Sequence, residues 1–305
     1  MATMTETPET TAQQTIHEYH AEAHVLSGEL QRPVQQKIEK HAPVSLKGRR
    51  GGHITRAVED VSIEGLITVK KGFSRVSGSQ SVKHNGWVTL STSILEGLNV
   101  FEIVTADRVV AQLSTDHLDD RKSHVPRVTF LGSQFNGLRL SGFPLNLEFD
   151  LGICGEKPAD DRAYLEESTF LKRIREQAAA IASTKDLPVA VKEQYDKRLA
   201  TIDELISHGS LNGDGKATSV SCSLVKSIDI RNIPIPGLRA IGNLLLVPEF
   251  GVVSLAELEV GVEPVPDFPK PSNYFTLKMF DIQLGCVGHG TLDGGGGNVN
   301  GTHKP

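Results

Sequence analysis

The sequence of 305 residues has no long hydrophobic run and few cysteines. No apolar stretch reaches the roughly 18–20 residues that a membrane-spanning helix needs, so we expect no helical membrane span. Its cysteines, Cys154, Cys222 and Cys286, are far apart and form no CxxC pair, which excludes a zinc knuckle and a thioredoxin-type motif. We expect reduced, mostly buried thiols. The alternative is one disulfide with one free thiol, in a protein exported by a non-classical route.

Positive charge is scarce as well. The formal net charge is −5 at pH 7, whereas nucleic-acid-binding proteins normally present a strongly basic face, so no nucleic-acid partner is expected. The first fifteen residues are rich in threonine and acidic, and they lack the basic start and apolar stretch of a signal peptide. This composition favours a cytoplasmic location.

Aromatic residues and catalytic motifs are also few. Aromatics make up 5% of the chain, which disfavours a glycan-binding module because sugars usually stack on aromatic rings. Trp87 and Tyr274 are the candidates for such a surface. The sequence contains neither the GxSxG motif of a nucleophilic serine nor the GxxxxGK[ST] motif of a phosphate-binding loop. We therefore assign no catalytic residue and no cofactor.

The sequence does contain many short segments with β character. Residues 58–69 alternate between two faces, which is the strand period. The Asn85-Gly86 pair between two such segments predicts a hairpin, because both central positions of a type I′ turn need a positive φ. Many short strands bounded by Gly, Asn, Asp and Pro predict a mainly β fold. We expect an antiparallel β-sandwich or barrel-like domain formed by residues 17–157 and 216–288.

A helical segment interrupts the β pattern. Residues 159–208 contain no glycine and a single proline, Pro188. Apolar residues there recur at helical spacing in two stripes, which are Leu171, Ile174, Ala178 and Ile181, and Val191, Tyr195, Leu199, Ile202 and Ile206. These stripes predict an inserted antiparallel helical hairpin over residues 158–209.

Both ends of the chain are expected to be disordered. Residues 1–16 are polar and small, and residues 289–305 are rich in glycine. Two segments between these ends are similar to each other, "GLRLSGFPL" from Gly137 and "GLRAIGNLL" from Gly237. They are either a degenerate internal repeat or a coincidence between strands of similar composition.

The stretch "HEYHAEAH" at residues 17–24 combines histidines with carboxylates. As a strand it places Glu18, His20, Glu22 and His24 on one face and Tyr19, Ala21, Ala23 and Val25 on the other. Two histidines four residues apart on a strand are roughly 13 Å apart, which is too far to share one metal ion. We interpret the stretch as a strand with one solvated face.

Two loops carry residue types that bind metals. The first offers Asp116, His117, Asp119, Asp120 and His124 as candidate ligands. The alternative interpretation is a solvated hairpin, and a metal there would need ligands from neighbouring loops. The second loop, "SLNGDG" at residues 210–215, resembles the start of an EF-hand, but Ser221 stands where the bidentate glutamate is needed, so we interpret it as a turn.

Two further segments carry a family resemblance. "VTADRVVAQLST" and "FLGSQFNGLRLSGFPL" contain a Thr-Ala-Asp strand followed by a Gly-Ser, Phe, Leu, Gly and Pro pattern. The residues concerned are Thr105, Ala106, Asp107, Gly132, Ser133, Phe135, Leu138, Gly142 and Pro144. The pattern resembles bacterial β-rich surface proteins of the choice-of-anchor type. The resemblance implies a β-sandwich with a structural or envelope role and supplies no catalytic residue.

Three classes of function follow from these patterns. The first hypothesis is a non-enzymatic β-rich structural, assembly or binding protein, with residues 158–209 as its interaction element for a second copy or another protein. The second is a β-sandwich that binds a glycan or a small ligand. The third is a metal-dependent β-barrel enzyme whose ligands come from distant loops.

Overall fold

A computed structural model describes residues 16–32, 35–81, 86–118, 124–159, 162–208, 218–264, 271–285 and 289–304. The strands are β1 (Ile16–Arg32), β2 (Gln36–Ile38), β3 (Val44–Gly48), β4 (Gly52–Ile63), β5 (Ile67–Ser81), β6 (Gly86–Val100), β7 (Val104–Leu118), β8 (Arg127–Thr129), β9 (Gln134–Asn136), β10 (Arg139–Leu140), β11 (Phe143–Pro144), β12 (Asn146–Phe149), β13 (Thr218–Ser223), β14 (Val225–Asp229), β15 (Arg239–Ile241), β16 (Leu244–Val247), β17 (Gly251–Glu263), β18 (Ser272–Leu284) and β19 (His289–Lys304). The helices are α1 (Ser168–Ala182) and α2 (Val189–His208), preceded by a 3₁₀ helix at Tyr164–Glu166.

The strands form two large antiparallel sheets that pack face to face. Sheet one has the order β15-β16-β17-β18-β19-β1-β2, with β13 beside β17 and β3 beside β1. Sheet two has the order β11-β10-β7-β6-β5-β4, with β8 and β9 beside β7. A small third sheet pairs β12 with β14. The predicted mainly β, antiparallel sandwich-like fold with an inserted helical hairpin is confirmed.

The glycine-rich end of the chain corrects one expectation. We expected residues 289–305 to be a disordered tail, but His289–Lys304 forms β19, between β18 and β1 in the middle of sheet one. A Cβ atom on Gly294 would lie 2.3 Å from Cζ of Phe280, and one on Gly296 would lie 2.2 Å from Cε1 of His24. Glycine is needed here because neighbouring side chains cover the strand directly, a reason that composition alone does not reveal.

Small side chains bring the two sheets close together. Ser91 and Ser93 of β6 donate hydrogen bonds from Oγ to the carbonyl oxygens of Glu22 and His24 in β1, at 2.7 and 2.8 Å. A serine side chain is short, so hydroxyl-to-carbonyl bonds of this kind require the backbones of β6 and β1 to lie close together. These bonds join the two sheets directly.

An irregularity in the strand pairing, which we call the bulge row, crosses four strands of sheet one without changing their register. Cross-strand pairing omits Val25, Ala256, Met279 and Gly295. Ala256 and Gly295 have positive φ values of 48° and 63°. Two consecutive residues are buried at this level, for example Val25 with Leu26 and Leu255 with Ala256, so the inward and outward alternation shifts by one position. Residues three apart across the row, such as His24 and Ser27, therefore share the outer face.

The helical hairpin covers one edge of sheet one. The amide of Gln177 in α1 donates to the carbonyl of Ser223 and accepts from its N–H, at 3.0 and 2.7 Å. Arg239 of β15 donates to the carbonyls of Lys185 and Asp186 between the helices. The apolar residues Phe170, Leu171, Ile174, Ala178, Ile181, Val191, Tyr195 and Ile202 are buried. Most of the predicted apolar stripes are thus used inside the molecule.

Several predictions concern residues outside the described ranges. They are the disorder of residues 1–15, the turn residue Asn85, the loop at residues 210–215, and Cys286. Strands β5 and β6 do pair, so the predicted pairing is confirmed. The predicted turn position is wrong at Gly86, because Gly86 begins β6 opposite Ser81 and has no positive φ. Residue 16, expected to belong to the disordered tail, instead begins β1.

Candidate functional site

The structure separates the predicted metal ligands. Asp116 and His117 are consecutive residues of β7 and point to opposite faces. His117 is fully buried, and His124 is 8% exposed. Asp119 and Asp120 lie outside the described residues. Among the residues that are described, no group of three or more His, Cys, Asp and Glu side chains could hold a metal ion.

His117 belongs instead to a cluster of rings between the sheets. The ring of His17 stacks on Trp87 at 5.2 Å between centroids and meets the rings of Tyr19 and His117 edge-on, at 4.6 and 4.9 Å. Burial raises the pKa of Tyr19. Since Trp87 packs within this cluster, it is not an open platform for a sugar ring. His17 and Tyr19 lie on the inner face of β1, as the alternation in "HEYHAEAH" predicts for Tyr19.

The two described cysteines are also buried. Cys154 and Cys222 are free thiols. Burial raises the pKa of Cys154 well above its ordinary value and that of Cys222 to about 12. Thiols of this kind are protonated at neutral pH and are poor nucleophiles. This agrees with the expectation of reduced, buried thiols at these two positions.

A Ser, His and Asp side chain meet on the outer face of sheet one. Nε2 of His24 lies 3.2 Å from Oδ2 of Asp293 and 3.2 Å from Oγ of Ser27. The hydroxyl of Ser27 donates to Oδ1 of Asp293 at 2.9 Å. The strand pairing explains the contact, because Ser27 of β1 is opposite Asp293 of β19 and the bulge at Val25 turns His24 to the same face.

The geometry of this trio differs from that of a serine hydrolase. In a hydrolase, one imidazole nitrogen accepts the serine proton while the other nitrogen donates to the carboxylate. Here the serine and the aspartate both contact Nε2, and the serine donates its proton to the aspartate. The three groups form a closed hydrogen-bonded triangle in which the hydroxyl is not activated as a nucleophile.

A second carboxylate lies directly beside the trio. Asp281 of β18 is opposite Asp293 in the strand pairing. The pKa of Asp281 is raised to about 6, mainly by burial. Lys278 and Arg198 act to lower this pKa, and the negative charges of Glu257 and Asp293 act to raise it. One oxygen of Asp281 is buried and has no hydrogen-bond partner. Burial also acts to raise the pKa of Asp293, but the bond from His24, together with Lys278 and Ser27, lowers it overall.

Asp107, one of the residues that carry the family resemblance, contacts two residues of the second segment, Gly137 and Arg139. Arg139 donates to both carboxylate oxygens of Asp107, at 2.9 and 3.3 Å, and this bond lowers the pKa of Asp107. A Cβ atom on Gly137 would lie 1.9 Å from Oδ2 of Asp107. The Thr-Ala-Asp and Gly-Leu-Arg segments are therefore held together by this ion pair and by the close approach of Gly137 to Asp107. These contacts give no indication of catalysis.

Strand β4 presents a different kind of site, an open sheet edge. It has 12 residues and pairs with β5 alone among the described strands. Residues 52–57 are exposed on both faces, and Ile54 is 39% exposed. An unpaired strand edge offers a row of N–H and C=O groups to another strand.

The other described edges are short or partly covered. On one side of sheet one, β2 and β3 have 3 and 5 residues, and on the other side Gln177 is bonded to the end of β13. The far edge of sheet two is β11, which has 2 residues. Strand β4 is thus the longest open edge in the described part of the molecule.

Comparison with known families identifies a match over most of the chain. A domain family of unknown function, DUF8256, matches residues 17–261. The chain belongs to this family. The DUF8256 match begins in β1 and ends within β17, so it includes all of sheet two and the helical hairpin. No curated protein and no solved structure matches the sequence.

The functional candidates in this DUF8256 chain were only partly visible in the sequence. Ser27 is far in the chain from Asp281 and Asp293. The bulge row places His24 and Ser27 on one face, but no particular residue type marks this shift in the sequence. For β4, the alternation at residues 58–69 signalled a strand, but its place at the edge depends on pairing. No helix in the described ranges is long and apolar enough to span a membrane.

Proposed function

We propose that this protein is a non-enzymatic, β-rich structural or assembly protein that associates with a second copy through the edge of β4. The supporting observation is the length and exposure of that edge, whose residues 52–57 are open on both faces. A second β4 strand pairing antiparallel would satisfy the unpaired backbone groups and extend sheet two across the contact. Such a contact has two-fold symmetry, which is the commonest symmetry of soluble assemblies.

The contents of the edge suit this role. Natural edge strands that must stay unpaired are usually short or carry lysine and proline. β4 contains neither lysine nor proline, although it carries Arg56, Glu59 and Asp60, and its open segment includes Ile54 and Thr55, which favour strands. The residues of β4 therefore favour pairing with another strand.

The helical hairpin supports the proposal in another way. Its predicted role was the interaction element, but most of its apolar stripe is buried within the chain, and Gln177 is bonded to the end of β13. We place the hairpin as the cover of one edge of sheet one and the contact between copies on sheet two. The helical hairpin then covers an edge of sheet one, whereas the β4 edge of sheet two forms the contact between copies.

The proposal predicts that the molecular mass of the protein in solution rises with concentration, and that substitutions in β4 prevent this rise. Lysine at Ile54 and Ala57 places two charges on the open edge, on its two faces, and should prevent pairing. We expect light scattering to show the wild-type mass rising towards twice the monomer mass as concentration increases, while the Ile54→Lys, Ala57→Lys variant remains a monomer. Leu131→Lys is the matched control, because Leu131 is 68% exposed in a turn away from β4.

Two results would contradict this assignment. One is a wild-type protein that stays monomeric at every concentration. The other is a double variant that associates as strongly as the Leu131→Lys control.

A further inference from the structure

A polar cleft lies between helix α2 and strand β13. It has a volume of about 270 Å³ and is lined by Gln194, Lys197, Arg198, Thr201, Ser219, Val220 and Ser221. The four helical residues have the spacing i, i+3, i+4 and i+7, so they form one face of α2. A helix face that packs on a strand is normally apolar. The apolar residues of α2, including Tyr195 and Ile202, are buried elsewhere on the helix, so this polar face is left for something other than core packing.

The lining favours a ligand that accepts hydrogen bonds and carries negative charge. Six of the seven lining side chains carry N–H or O–H donors, and no carboxylate is among them. The Thr201 hydroxyl already donates to the carbonyl of Lys197, so the ligand would use the other donors. Lys197 is exposed and makes no salt bridge within the described residues. Arg198 is fixed by a salt bridge to Glu257 and by stacking over the ring of Tyr195 at 4.6 Å. That bond to Glu257 uses Nη2, and a guanidinium has five N–H donors, so others remain available.

The strand side of the cleft offers backbone groups as well. Gln177 binds both the N–H and the C=O of Ser223, so these groups point away from β17 and towards the helices. The orientation of backbone groups repeats every two residues along a strand. The N–H and C=O groups of Ser219 and Ser221 therefore point to the same side as those of Ser223. Both residues line the cleft.

We infer that this cleft binds an extended acidic peptide, which pairs as a further strand with the edge of β13 that no described strand occupies, and which places a carboxylate between Lys197 and Arg198. A simple anion could use the N–H groups and the cations, but it would leave the C=O groups of Ser219 and Ser221 without a donor. An extended peptide supplies both N–H and C=O groups at the strand spacing. The volume is below the usual range for drug-sized ligands, so the cleft takes only a short segment. The site is separate from β4 and does not depend on the proposed self-association.

The test uses the full chain and a fluorescein-labelled eight-residue peptide of alternating threonine and glutamate. Peptides with glutamine or lysine in place of glutamate are the matched probes. Fluorescence anisotropy should show saturable binding of the glutamate peptide, at least tenfold weaker binding of the glutamine peptide, and no binding of the lysine peptide. Binding should weaken as salt is added.

Two variants locate the site. Lys197→Glu should weaken binding of the glutamate peptide at least tenfold, whereas Lys172→Glu, at an exposed position on α1 outside the cleft, should leave it unchanged. Ser221→Pro removes the outward N–H without touching the bonds to β17, and it should also weaken binding. Thermal unfolding of each variant shows that it is folded, and Lys197→Glu stands alone as the test if the proline variant is not.

Three results would overturn the inference. The first is no binding of the glutamate peptide by the wild-type chain. The second is equal binding by the Lys197→Glu and Lys172→Glu variants. The third is full competition by inorganic phosphate at the same concentration as the peptide, which would make the cleft a simple anion site.

Discussion

At the scale of single residues, Asp281 is the group whose charge opposes folding. Its pKa rises from an ordinary value of 3.8 to about 6, first because of burial. The folded protein therefore binds this proton more tightly than the unfolded chain does, and the charged form lowers the free energy of unfolding above pH 6. The cost decreases as the pH falls from about 6 to about 4 and disappears below about pH 3, where the carboxyl is neutral in both states.

Replacing this carboxylate should stabilise the protein at neutral pH. One pKa unit corresponds to about 1.4 kcal/mol, and partial exposure reduces the effect, so we expect Asp281→Asn to raise the free energy of unfolding by roughly 1–2 kcal/mol at pH 7.5. Denaturant unfolding of variant and wild type from about pH 3 to pH 8 measures the difference, which should shrink below pH 6 and vanish near pH 3. A difference that stays constant across this range would show that the Asp281 charge is not the cause.

Asp229 provides a control of opposite sign. The hydrogen bonds from Arg231 lower its pKa to about 2. Its charge therefore favours the folded state at neutral pH, and this contribution is lost only as the pH falls from about 4 towards 2. Asp229→Asn should reduce stability at pH 7.5, in the direction opposite to Asp281→Asn.

The residue patterns predicted which side chains of a strand face the core, but they did not predict which strands pair with each other. The alternation in "HEYHAEAH" correctly predicted that Tyr19, Ala21, Ala23 and Val25 face the core. The metal ligands proposed from one loop are distributed over opposite faces, since Asp116 and His117 are adjacent in a strand. Contacts such as His24 with Asp293 depend on register between distant strands, which a local pattern does not contain.

At the scale of elements, the glycine-rich strand β19 is the clearest difference between expectation and structure. Glycine has a low strand propensity, so the composition predicted disorder. In the fold, β19 pairs with both β1 and β18, and its glycines make room for Phe280, His24 and Ser91. Tertiary packing thus overrides local propensity, whereas the predicted helical hairpin, with its long apolar stripes, is confirmed.

Substitution in β19 tests this reason for glycine. Gly294→Ala should lower the free energy of unfolding by about 1–3 kcal/mol, because the added Cβ meets the ring of Phe280 at 2.3 Å. Gly152→Ala is the matched control, since its nearest neighbour would be 3.5 Å away, and it should change stability by less than about 0.5 kcal/mol. Equal stability of the two variants in denaturant would contradict the packing role of β19.

At the scale of the whole molecule, the two sheets differ in how their edges end. Sheet one has short or partly covered edges, and its outer face carries the closed triangle of Ser27, His24 and Asp293. Sheet two ends in β4, with residues 52–57 open on both faces. This difference between the edges supports association of two copies through β4. The closed triangle on the outer face of sheet one gives little support to a catalytic function there.

Hydrogen exchange of β4 at two protein concentrations tests the proposed assembly most directly. Half of the amides in residues 52–58 point away from β5, and pairing with a second copy should protect them. We predict that exchange of this segment slows markedly from the dilute to the concentrated sample, while β6 and β7 stay unchanged. Identical exchange of residues 52–58 at both concentrations, or slowing confined to another surface, would contradict the assignment of β4 as the contact between copies.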